Sequence, residues 1–190
     1  MTTNIMIVGV GGQGTLLASR ILGNVAIKCG YDVKVSEVHG MSQRGGSVVT
    51  YVKYGEQVNS PIIYLGEADV ILAFEKLEAI RALPYLKIGG KIILNDREIA
   101  PMPVITGAQE YPTGLVEELS SKASVTAVDA LELSIKAGSP KAVNVVLIGM
   151  LAKSMNIEKE VWIEVIKQTV PAKFLELNLK AFELGYTFGG

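Results

Sequence analysis

The sequence predicts an α/β fold: a Rossmann-like three-layer α/β/α sandwich with a mostly parallel, mixed sheet, a β-hairpin insertion and C-terminal helices. Three observations carry this. A short β-branched run, a glycine-rich turn and an apolar-striped helix follow one another over residues 4–29. Short apolar runs then alternate with amphipathic stretches, the pattern of strands buried between helical layers. From residue 130 onward the apolar spacing is helical. No repeat, linker or low-complexity stretch divides the chain, so residues 1–190 form a single domain.

Residues 5–8 are too few for a helix and read as a buried strand. Gly9, Gly11 and Gly14 then match G-x-G-x-x-G, with Gly12 as a fourth glycine and Gln13 before the last. Such glycines permit a tight turn and close backbone approach. They leave the first N–H groups of the next helix facing outward, where a phosphate or other anion is the natural occupant. A tight turn that binds nothing is the plainer alternative. The helix over residues 15–29 carries Leu16, Leu17, Ile21, Leu22, Val25 and Cys29 on one stripe, which makes Cys29 a small core residue. Gly30 ends it, and residues 32–38 alternate as a second strand. Glu37 lies near its end, about 20 residues past the glycine turn, where a dinucleotide fold places a ribose-binding acid.

Residues 37–47, Glu-Val-His-Gly-Met-Ser-Gln-Arg-Gly-Gly-Ser, show no period and read as a loop. A loop at a strand's carboxyl end belongs beside the glycine turn. Ser42, Arg44, Gly45 and Gly46 are its candidate binding residues. The two glycines leave the Arg44 fork unobstructed for a phosphate or carboxylate.

Residues 47–54 read as a strand, 55–57 as a turn and 58–64 as the returning strand of the hairpin insertion. A buried strand at 70–74 leads to a short helix at 76–86, interrupted by Pro84 and closed by Gly89-Gly90. Another strand at 91–94 opens into an exposed connection in which Asp96 and Glu98 flank Arg97. Thr113 caps a helix at 113–122, residues 125–128 form a strand, and Asp129 caps the helix 130–137. Residues 142–155 are apolar nearly all round and therefore buried. An amphipathic helix at 158–170 follows, and Pro171 opens a last helix, 172–184, that Gly185 ends.

Hydrophobic residues make up 49% of the 190 and charged residues 19%, with a mean hydropathy of +0.35. No apolar run reaches the roughly 18 residues of a membrane span. The chain passes directly into its first strand, so the expectation is a cytoplasmic protein with no membrane segment and no signal peptide. Its apolar excess fits a large partner interface. A net charge of −1 without a basic run gives nucleic acid nothing to hold. One cysteine and one histidine rule out an internal disulfide and an iron–sulfur cluster held by this chain alone. They leave no basis for a zinc site or a Ser-His-Asp triad, so no metal site and no catalytic residue are assigned.

The chain resembles the γ-type domain of the 2-oxoacid (pyruvate/ketoisovalerate) ferredoxin oxidoreductases, and within them the small subunits serving indolepyruvate. The residues that carry the resemblance are Gly9-Val-Gly-Gly-Gln-Gly14, the whole 37–47 string, Asn144 with Leu147-Ile-Gly149, Pro171-Ala-Lys173, Glu176, Asn178, Ala181-Phe182 and Gly185-Tyr186. The resemblance implies a subunit, inactive alone, of a complex that oxidatively decarboxylates an aryl pyruvate with coenzyme A. The products are an acyl-CoA, CO2 and reduced ferredoxin. It also implies that thiamine diphosphate, Mg and the 4Fe–4S clusters reside in a larger partner subunit. This chain then supplies architecture, a wall of the active site and a seat for coenzyme A. Its binding residues are Gly9, Gly11, Gly12, Gln13, Gly14, Ser42, Arg44, Gly45 and Gly46. Three rivals stay open on the sequence: an NAD(P)-dependent dehydrogenase, an interaction protein with a vestigial turn, and a γ subunit serving pyruvate or branched-chain oxoacids.

Overall fold

The computed structural model describes residues 2–40 and 45–189. In chain order the elements are β1 (Thr2–Val10), α1 (Thr15–Lys28), β2 (Asp32–His39), β3 (Ser47–Gly55), β4 (Ala68–Ala73), α2 (Lys76–Ala82), β5 (Leu86–Asn95), α3 (Met102–Ile105), α4 (Leu115–Lys122), β6 (Ser124–Val128), α5 (Ala130–Ala137), α6 (Val143–Lys153), α7 (Lys159–Thr169) and α8 (Leu175–Tyr186). Among these residues six strands form one sheet in the order β2-β3-β1-β4-β5-β6. β1, β4, β5 and β6 run parallel, whereas β3 is antiparallel to both β1 and β2.

From Ile5 to Val8 β1 is apolar without interruption because both its faces are covered there. Ile5 and Ile7 join the core formed with α1, α5, α6, α7 and α8. Met6 and Val8 face the opposite way, into a smaller core with α2 and α4. The three layers follow from that two-sided burial. α6 is buried along its length, from Asn144 to Ala152, which accounts for its lack of a polar face. It meets α8 at two glycines. A Cβ on Gly149 would lie 2.2 Å from the Phe182 carbonyl oxygen, and one on Gly185 would lie 1.9 Å from that of Val146.

Several expectations are corrected. The hairpin joins β2 to β3, and residues 58–64 do not return as a strand. Pro61 lacks the N–H a ladder needs. Instead the Val58 N–H donates to Asp32 Oδ2 at 2.8 Å, and Lys53 Nζ to the Ile62 carbonyl at 2.9 Å. Gly89 and Gly90 sit in a bulge of β5, where the register with β4 shifts, and do not close the preceding helix. The chain enters α4 through Gly114, at φ +70°, so Thr113 is not its cap. Gly185 lies inside α8 and not after it. Cys29 is exposed at the C-cap of α1, past the last buried residue of the helix, Ala26.

Candidate functional site

The glycine turn is held from beneath by side chains. Gln13 Oε1 accepts from the Val10 N–H at 2.6 Å, and its Nε2 donates to the Phe74 carbonyl at 2.9 Å. The same carbonyl, just past β4, accepts from Asn95 Nδ2 at 3.1 Å, and Asn95 Oδ1 accepts from the Ala130 N–H at 3.1 Å. One carbonyl therefore ties together the carboxyl ends of β1, β4 and β5. Asn144 Nδ2 donates to the Gly14 carbonyl at 3.3 Å and anchors the turn to α6. Gln13, a candidate ligand residue in the sequence, is here a strut of the turn.

Gly9, Gly14 and Gly12 each have a distinct reason to be glycine. A Cβ at Gly9 would lie 2.8 Å from Gln13 Oε1 and 2.9 Å from Phe74 Cβ. Gly14 caps α1 at φ +84°, and its Cβ would meet Asn144 Nδ2 at 2.6 Å. Gly12 adopts φ +101° with open space above it. That space is where a ligand's backbone contacts would form, since the first N–H groups of α1 have no partner within the helix.

The loop after β2 comes back against this turn, as its position at a strand end predicts. The Gly11 N–H donates to the Gly46 carbonyl at 2.9 Å and the Gly45 N–H to that of Gly11 at 3.5 Å. Gly9, Gly11, Gly12, Gln13, Gly14, Gly45 and Gly46 are thus brought together. Ser42 and Arg44 lie outside the described residues. Glu37 and His39 belong to β2 and not to the loop. Glu37 Oε2 accepts from Thr50 Oγ1 at 3.3 Å, and Oε1 is 3.8 Å from His39 Nδ1.

Two clefts of about 430 Å³ flank the turn. The first is lined by Gly11, Gly12, Thr15, Leu16, Glu37 and His39 and carries the acid. The second is lined by Gly12, Gln13, Gly14, Asn95, Arg97 and Lys141 and carries two cations. The second cleft suits an anion, and neither cation is legible as a site residue from the local motif. Arg97 follows the carboxyl end of β5, but it stands between Asp96 and Glu98 and lacks the flanking glycines that singled out Arg44. Lys141 gives no signal either.

Arg97 is positioned by a buried clasp. Glu75, 1% exposed, accepts from the Glu78 N–H at 2.9 Å, from the Ile99 N–H at 3.1 Å and from the Tyr111 hydroxyl. Burial, and then the Glu75 carboxylate, push the Tyr111 phenol well above its ordinary range. Tyr111 therefore stays a donor at every physiological pH. The Lys76 N–H holds the Arg97 carbonyl at 3.0 Å, while Lys76 Nζ bridges Asp96 at 3.0 Å and Glu98 at 2.8 Å. Those two acids neutralise a lysine and do not form an acid–base pair. Among the described residues no group of three His, Cys, Asp or Glu is placed to hold a metal ion.

Residues 4–188 match the family model described as pyruvate ferredoxin/flavodoxin oxidoreductase. Indolepyruvate oxidoreductase subunit IorB of Thermococcus kodakarensis is 47% identical over 189 residues, covering 96% of this chain and 93% of the relative. The subunit of the same name from Archaeoglobus fulgidus is 43% identical, covering 98% and 94%. The crystal structure of a keto/oxoacid ferredoxin oxidoreductase γ subunit from Geobacter sulfurreducens superposes with a TM-score of 0.73 at 24% identity, covering 97% of this chain and 96% of the other. That last likeness is one of fold.

Proposed function

The chain belongs to the pyruvate ferredoxin/flavodoxin oxidoreductase family, and from that premise we propose that it is the small, cluster-free subunit of an indolepyruvate ferredoxin oxidoreductase. The complex converts an aryl pyruvate and coenzyme A to the acyl-CoA and CO2, passing the electrons to ferredoxin. The observation that carries the substrate assignment is the near full-length identity to subunits named for indolepyruvate.

The residues present do not fit an iron–sulfur cluster, because the only cysteine, Cys29, stands alone and exposed at the end of α1. The clusters, thiamine diphosphate and Mg are assigned to a large partner subunit, and the complex to the cytoplasm. Among the described residues no helix is long and apolar enough to cross a membrane. Leu16, Val35 and Val38 are large apolar side chains left exposed on α1 and β2. Apolar surface of that kind is what a subunit interface covers.

The chain's own chemical part is to seat coenzyme A. Gly12 and Gly14 offer backbone N–H groups, Gly11, Gly45 and Gly46 close the turn from the side, and Arg44, Arg97 and Lys141 supply positive charge for its phosphates. Glu37 is engaged by Thr50 and His39 in the opposite cleft, which makes that side unfavourable for an anion.

The test is steady-state viologen reduction by the assembled complex, with indolepyruvate, pyruvate and ketoisovalerate compared as substrates. Indolepyruvate should give the highest kcat/KM; preference for pyruvate or ketoisovalerate would overturn the substrate assignment. Losing a forked contact to a phosphate costs about 1.5–3 kcal/mol, or about ten- to a hundredfold in affinity. Arg44→Ala should raise the KM for coenzyme A by that factor and leave subunit association unchanged. Arg44→Lys should rescue part of the loss, since a point charge cannot make the forked contact. If both variants instead dissociate the subunits while coenzyme A kinetics stay intact, Arg44 is an interface residue and takes no part in seating coenzyme A.

A further inference from the structure

The largest cavity described lies at the other end of the sheet. About 560 Å³ opens between the amino ends of β1, β4 and β5 and the connection from α6 to α7. Tyr54, Tyr31, Met155 and Ile157 give it an aromatic and aliphatic side, Thr3, Asn156 and Asp69 a polar one, and Lys91 also lines it. The two tyrosine rings sit 5.4 Å apart at 49°. Tyr54 is 7% exposed and Tyr31 41%, so one ring forms the wall and the other the rim.

Charge at this cavity does not cancel. Lys87 is paired with Asp69, whose Oδ2 also accepts the Asn4 N–H at 2.7 Å. Lys91 Nζ donates to the Ser154 carbonyl at 2.6 Å, and among the described residues it forms no ion pair with a carboxylate. One ammonium is thus half-buried against a neutral acceptor, and burial lowers its pKa. A partly desolvated cation beside aromatic and aliphatic walls is completed by a single negative charge on a flat apolar body. A phosphate dianion would exceed the one uncancelled charge.

We propose that this cavity binds a small aryl carboxylate, with the carboxylate on Lys91 and the ring between Tyr54, Tyr31 and Ile157. The site is separate from the glycine turn and does not depend on the reading given for it.

The probe is phenylacetate, titrated into the full chain and followed by amide chemical shifts, with phenylacetamide and inorganic phosphate as comparisons. Phenylacetate should shift Thr3, Tyr54, Lys91 and Ile157, and phenylacetamide should bind about tenfold more weakly for want of the charge. Lys91→Met should weaken phenylacetate by a similar factor and Lys91→Arg should retain it. Lys91 also caps the end of α6, so Tyr31→Ala at the exposed rim serves as a second variant and should weaken both aryl probes alike. The proposal is overturned if the amide binds as well as the acid, or if phosphate binds more tightly than phenylacetate. It also fails if the shifts fall at the glycine turn, or if neither Lys91→Met nor Tyr31→Ala changes the affinity.

Discussion

Gly185→Ala should lower the melting temperature by about 10 °C, an effect far beyond what one methyl group ordinarily causes. The added Cβ would lie 1.9 Å from the Val146 carbonyl oxygen. That atom is backbone in the middle of a buried helix, so no rotamer change relieves the contact. α6 and α8 must separate, and the core around Phe182 and Trp162 opens with them. Overpacking of this kind costs about 3 kcal/mol, the upper end for core insertions. In a protein of this size each kcal/mol moves the midpoint by roughly 2–4 °C. Gly149→Ala should behave similarly, because its Cβ would meet the Phe182 carbonyl at 2.2 Å. Circular dichroism melting checks both. Midpoints within the error of the parent would mean that α6 and α8 do not cross at these glycines.

Gly14→Val should be nearly as damaging and should act on the site as well as on the fold. An L-residue in the left-handed region costs about 1–2 kcal/mol, more when β-branched. The Cβ would also reach Asn144 Nδ2 at 2.6 Å, breaking the hydrogen bond that ties the turn to α6. Together these amount to about 3 kcal/mol, with the amino end of α1 displaced from where coenzyme A would meet it. Gly12→Ala carries the backbone strain of φ +101° but meets nothing within 4 Å, so its loss of stability should be about half as large. Thermal melting separates the two variants, and the KM for coenzyme A of whatever complex forms reports on the site. Equal melting of Gly14→Val and the parent would show that Asn144 does not hold the turn.

Much of the fold was legible because β1 and β4 carry short β-branched apolar runs, α1 an apolar stripe, and α6 an apolar stretch too long for a strand. The apposition of the Gly45–Gly46 loop and the glycine turn followed from strand direction alone. What was hidden depended on partners distant in the chain. Whether β3 pairs with the strand before it or the stretch after it is a tertiary question, decided by Pro61 and by the hold of Asp32 on Val58. Cys29 continues the helical stripe, but it stands at the C-cap of α1, past the last buried residue of that helix, Ala26. Gly185 looks like an ordinary helix stop, and Gly149 like one more member of an apolar stretch, until two helices are seen to cross through them. Gln13 also supports the backbone of the turn through Val10 and Phe74, a contact no spacing rule shows. Arg97 and Lys141 reach the cleft from two different connections, which no local pattern relates.

The most direct test of the central claim is reconstitution. The purified chain and a separately purified large subunit, rich in cysteine and able to bind thiamine diphosphate, are assayed alone and together for viologen reduction. Indolepyruvate and coenzyme A are the substrates. The chain alone should contain no iron and show no turnover, the large subunit alone should show little, and the mixture should turn over only when coenzyme A is present. A chain that is brown and active by itself, or a large subunit whose coenzyme A-dependent turnover is unchanged by adding the chain, would contradict the account.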